Sequence, residues 1–101
     1  MEETKIRILV DPDLLKFMPR YIQNRKEDLG HLKAFLQEKD SGSMKILSHK
    51  VRGHAKSYGL APLGDICKKL ESAINDDDVD ELYQLLLDYE KYISRLELPE
   101  P

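Results

Sequence analysis

Apolar residues return every three or four positions along most of this chain, the period of amphipathic helices. The clearest case is the last: Val79, Leu82, Leu85, Leu86, Tyr89, Ile93 and Leu96 share one side of a helix over 79–97. Before it, Leu63, Ile66, Cys67, Leu70 and Ile74 predict a helix over 61–75, with Pro62 suited to its first turn. Met44, Leu47, Val51, Ala55 and Tyr58 predict another over 43–58, closed by Gly59 as the left-handed residue past its end. The longest is predicted over 19–39, opening at Pro19 and carrying Ile22, Leu29, Leu32 and Leu36, with Tyr21 and Phe35 beside them. Asp11-Pro12-Asp13 signals a turn and a short helix over 13–18, and Met1–Val10 alternates like an extended segment.

Four long amphipathic helices with short links predict an all-α fold, an antiparallel four-helix bundle with a short extra N-terminal helix. The expected organisation is an N-terminal extension over 1–10, the bundle over 11–97 and a C-terminal tail over 98–101. At 101 residues, with 41% hydrophobic and 35% charged residues, one soluble domain accounts for the whole chain. Cys67 is the only cysteine, which rules out an internal disulfide and fits a reducing compartment. No apolar run is long enough to span a membrane or mark export, so the expected location is cytoplasmic. A monomer is expected, and the start at Met1 suits a free-standing chain, with a piece of a larger hybrid kinase as the other reading.

The net charge of −3 argues against general nucleic-acid binding. Its distribution changes the picture. No Asp or Glu occurs from Ser41 to Gly64, so all 19 acids lie outside a window that holds Lys45, Lys50, Arg52 and Lys56. Such a local cationic face on an acidic protein points to an anionic partner or group. Within the window stands His49. Lys45, Arg52, Gly53 and Lys56 lie at i−4, i+3, i+4 and i+7 from it, on one helix face, while the apolar stripe faces the other way. His49 is therefore expected to point into solvent. Neighbouring cations favour a neutral imidazole, whose bare nitrogen is a nucleophile. They would also stabilise negative charge added to it, and a phosphoryl group is the obvious candidate. Gly53 costs the helix about 1 kcal/mol relative to alanine, but leaves bare backbone where another protein's active site can approach. Ile46, at the edge of this face, is a candidate docking residue.

The segment from Asp40 to Glu71 resembles the histidine phosphotransfer (HPt) domain of bacterial two-component phosphorelays. His49-Lys50-Val51-Arg52-Gly53-His54-Ala55, then Tyr58-Gly59, then Leu70-Glu71 follow that family's motif, and Asp40 matches its aspartate at the interhelical turn. Asp-Pro-Asp-Leu-Leu at 11–15 is similar to the start of its first helix. The resemblance implies that His49 carries phosphate between receiver domains of response regulators or hybrid histidine kinases. It implies that Arg52 neutralises the phosphoryl oxygens and that Gly53 leaves room for the receiver. The Mg²⁺ and the acyl phosphate would belong to the receiver, so this chain needs no cofactor. The alternative is an adaptor of the same fold that binds a signalling partner without carrying phosphate. Two residues depart from the family's pattern: Val51 replaces a leucine or methionine, and His54 stands where small residues are common. By its position His54 is expected to turn inward as a hydrogen-bonded histidine.

Other chemistries fit poorly. No HxxxH or CxxC spacing supports a metal site. The acidic run 75–81 fails as a calcium loop, because Glu81 falls where glycine is required and Leu87 where glutamate is. Those acids suit helix capping. No acid lies in the cationic window to orient an imidazole, so Ser48 and His49 do not form a catalytic triad. No glycine-rich nucleotide loop is present, and the chain is expected to be a phosphoryl carrier rather than a kinase.

Overall fold

The computed structural model describes residues 5–98. A 3-10 turn at Pro12–Phe17 leads into four helices: α1 (Met18–Gln37), α2 (Ser41–His54), α3 (Ala61–Asn75) and α4 (Val79–Ser94). Helices α1 and α2, α2 and α3, α3 and α4, and α4 and α1 pack against one another, closing an all-α bundle. The ends follow local rules. Asp40 caps α2 by accepting from the Ser43 N–H at 3.1 Å, and Asp78 caps α4 by accepting from the Glu81 N–H at 3.1 Å. Pro19 and Pro62 stand in the first turns of α1 and α3, where a missing N–H costs nothing. The acidic run 75–81 is thus the α3–α4 connection and cap.

Two predicted boundaries are corrected. The helix expected over 43–58 begins at Ser41 and ends at His54, and Lys56–Tyr58 is a separate 3-10 turn. Gly59 follows that turn at φ 79°, in the left-handed conformation. The helix expected over 79–97 ends at Ser94, and Leu96–Glu97 forms a strand, β2. β2 pairs in parallel with β1 (Ile6–Arg7), where the Ile6 N–H donates to Arg95 O at 2.7 Å and the Ile8 N–H to Glu97 O at 3.1 Å. Backbone pairing with a segment some ninety residues earlier in the chain thus replaces the last helical turn.

The buried stripe of α2 is Met44, Ser48 and Val51, continued by Ala55 at its C-cap, with Leu47 and, in the turn beyond, Tyr58 only partly buried. Small side chains on that stripe let α2 and α3 approach closely. A Cβ on Gly64 of α3 would lie 3.8 Å from Ala55 Cβ and 3.9 Å from Arg52 O, at ordinary contact distance. Glu71 lies two turns beyond Gly64 on the same face of α3. The close crossing therefore delivers its carboxylate to the outer edge of α2.

Candidate functional site

His49 projects from the middle of α2 with its side chain 74% exposed, as its spacing predicts. It is not unsupported. Glu71 Oε1 accepts a hydrogen bond from His49 Nδ1 at 2.7 Å, and Glu71 Oε2 accepts one from Arg52 at 2.6 Å. Both bonds converge on a carboxylate whose side chain is only 11% exposed. Burial alone would raise the Glu71 pKa, but the bonds from Arg52 and His49 outweigh it and hold the carboxyl below the usual range. The absence of acids from the cationic window therefore does not leave the imidazole unoriented. The orienting acid comes from the next helix, outside the window.

The chemistry of this arrangement is directional. A proton fixed on Nδ1 by a carboxylate leaves the Nε2 lone pair bare and facing outward. If Nε2 gains a substituent, the ring becomes cationic, and Glu71 already stands against it as counter-charge. Ser48 takes no part. It is fully buried on the core stripe, and its hydroxyl has no hydrogen-bond partner, so no triad forms with His49.

The cations do not act as one cluster. Arg52 shares Glu71 with His49, whereas Lys45 Nζ donates to Asn75 Oδ1 of α3 at 2.9 Å. Lys50 lies on the opposite flank of α2, lining a shallow groove against α1. Lys56 falls in the 3-10 turn beyond the end of α2 and is exposed. Ile46 is 72% exposed in the same groove, beside Leu47 and the stacked rings of His31 and Phe35 from α1. The spacing of α1 alone did not single out His31 and Phe35; only the helix pairing does.

Gly53 is open to solvent, and a Cβ built there meets no atom within 4 Å. Tight helix packing is therefore not the reason for glycine at this position. Gly53→Ala should stabilise α2 by about 1 kcal/mol, measured as a higher urea midpoint. Gly53→Leu should keep the fold and weaken docking of a partner at His49; unchanged docking would remove the clearance role.

His54 turns toward α1, as expected. Its Nδ1 shares a 2.6 Å hydrogen bond with the Tyr21 hydroxyl, and Tyr21 stacks on Tyr58 at 3.9 Å between ring centres. The Arg25 guanidinium lies over the Tyr21 ring at 4.4 Å. The pairing with Tyr21 turns one ring nitrogen of His54 away from solvent and toward α1. Burial first, then Arg25 and Lys50, lower its pKa despite the opposing pull of Asp28. Protonation therefore favours the unfolded chain. The contribution is complete above about pH 6.5, the unfolded value, and is lost as pH falls through the lower folded one. The wild-type urea midpoint should drop between pH 7 and pH 5, and His54→Gln should flatten that drop.

Among the described residues no group of three or more His, Cys, Asp and Glu side chains converges to hold a metal ion. Cys67 is fully buried, and burial pushes its thiol up to about 12. No helix among the described residues is long and apolar enough to cross a membrane. Neither a curated protein nor a solved structure was found to match the chain. The Hpt domain family model matches residues 16–97, which takes in all four helices and the His49–Glu71 pair, and the chain belongs to that family.

Proposed function

We propose that this chain is a phosphohistidine carrier that takes a phosphoryl group from the aspartyl phosphate of one receiver domain and passes it to another. A general role in histidine phosphotransfer comes with the Hpt family. The observation that carries the assignment to His49 is its Nδ1 bond to Glu71 on a side chain left largely exposed. The Nε2 lone pair attacks phosphorus, and the P–O bond to the receiver's aspartate breaks. The carboxylate leaves with the electron pair, and the Nδ1 proton stays against Glu71. In the return step a receiver carboxylate oxygen attacks phosphorus and the P–N bond electrons go back to Nε2. Arg52 keeps the Glu71 carboxylate paired and places positive charge beside the phosphoryl group.

Docking uses Gly53 as clearance and the groove of Ile46, Phe35 and His31 as an apolar contact, with Lys50 at its edge. Lys45 and Lys56 steer an acidic receiver pocket toward the site. The receivers belong to response regulators or hybrid histidine kinases, each met in turn by a monomer in the cytoplasm. The chain carries phosphate without making it from ATP.

The test is incubation with a phosphorylated receiver, reading acid-labile, base-stable phosphate on this chain. Wild type should take the label and His49→Gln should take none. Equal labelling of both would sink the assignment of His49. Stable receiver binding with no label on wild type would favour the adaptor reading instead.

A further inference from the structure

Two hydrogen-bonded rungs join the outer edges of α2 and α3. In one, His49 and Arg52 meet Glu71; in the other, Lys45 Nζ donates to Asn75 Oδ1 at 2.9 Å. Lys45 lies one turn before His49 on α2, and Asn75 one turn after Glu71 on α3. Since the two helices run antiparallel, the rungs are neighbours. A helical side chain leans toward the N-terminus of its own helix, so the His49 ring inclines toward the turn that carries Lys45.

The two cations have partners of different charge. Arg52 meets a carboxylate, which matches its positive charge. Lys45 meets a neutral amide, which fixes the ammonium in place and leaves its charge uncompensated. Both Lys45 and Asn75 are exposed. A solvent-exposed hydrogen bond of this kind adds little to folding, so its consequence lies in where it puts the charge.

We propose that Asn75 is a positioning residue, holding the Lys45 ammonium beside His49 as an unmatched cation for the transferred phosphoryl group. This rests on the reading of His49 as phosphoacceptor. As Nε2 bonds to phosphorus and the receiver's carboxylate departs with its electron pair, the phosphoryl oxygens arrive with their negative charge. Lys45 then donates to one of them in place of Asn75, and no proton changes hands. An aspartate at position 75 would hold the lysine as firmly but cancel its charge.

The test is a double-mutant cycle on the full chain, using initial rates of labelling by a phosphorylated receiver. The variants are Asn75→Asp, Lys45→Met and the two combined. Asn75→Asp should slow uptake about fivefold at low salt, and should cost little more once Lys45 is gone, because the two act through one contact. The defect should shrink at high salt, where exposed charges are screened. Asn75→Gln, which keeps a neutral acceptor, should restore most of the rate, and thermal midpoints should barely move. An undiminished rate in Asn75→Asp, or the same loss with and without Lys45, overturns the role of Asn75. Those outcomes are read on a chain that labels at His49. A His49→Gln chain that still labels, or a wild type that never does, overturns the phosphoacceptor reading itself and this inference with it.

Discussion

Glu71→Ala is expected to slow phosphoryl uptake by about 10²-fold, within the range of proton-holding groups at reactive centres, with the helices intact. The loss has two sources. Without the carboxylate, the imidazole proton is free to occupy Nε2, where it masks the attacking lone pair. The cationic ring formed on phosphorylation also loses its counter-charge. Glu71→Gln separates them: an amide oxygen still accepts from Nδ1 but no longer balances Arg52 or the ring, so its rate should fall between the two. Nitrogen chemical shifts of the His49 ring supply a readout that a purely structural role would not move. Wild type should show a protonated Nδ1 and a bare Nε2, and Glu71→Ala a mixture. An unchanged rate with an unchanged tautomer would take Glu71 out of the mechanism. Because Arg52 and His49 hold the Glu71 carboxyl below its ordinary range despite burial, the carboxylate should stay charged at neutral pH and be lost as the pH falls through that lowered value. Arg52→Ala should produce a smaller loss, since it leaves the Nδ1 bond in place.

The outward direction of His49 was legible in the sequence because helical spacing fixes which side chains share a face. So were the inward turn of His54 and the left-handed Gly59. The partner of His49 was harder to read. Glu71 was visible as part of a family motif, but its role depends on α3 packing beside α2, a contact that one helix's periodicity does not encode. A signal existed: Glu71 borders the apolar side of α3, four residues after Cys67 and next to Leu70, where an acid needs a buried partner. The same limit applies to His31 and Phe35, whose place beside Ile46 follows from helix pairing. It also applies to the end of α4. Leu96 continues the apolar period and so reads as helix, yet the Ile8 N–H takes the Glu97 carbonyl from the other end of the chain. Local patterns set the elements; the residues that orient the site come from contacts between them.

Truncating Ile8 should be the most damaging change to stability outside the helices. The segment before Pro12 reads as an extension to the bundle, but Ile8 is 1% exposed and belongs to the core. Its neighbour in the fold is the Gly59 turn. A Cβ on Gly59 would stand 2.5 Å from Leu9 O and 3.0 Å from Ile8 Cγ2, so the strap lies directly on that turn. Ile8→Ala removes a buried aliphatic side chain that the β1–β2 pairing holds in place, at a cost of ~3 kcal/mol. For a domain of this size that lowers the thermal midpoint by about 10–20 °C. Gly59→Ala should fall in the same direction for two reasons, its left-handed backbone and the carbonyl it would strike. Urea melts of both variants supply the comparison, alongside labelling rates measured well below the midpoint. A packing role predicts that Ile8→Ala loses stability and keeps its rate of phosphoryl uptake while folded. Lost uptake at full stability would instead tie the strap to the His49 helix through the turn it covers.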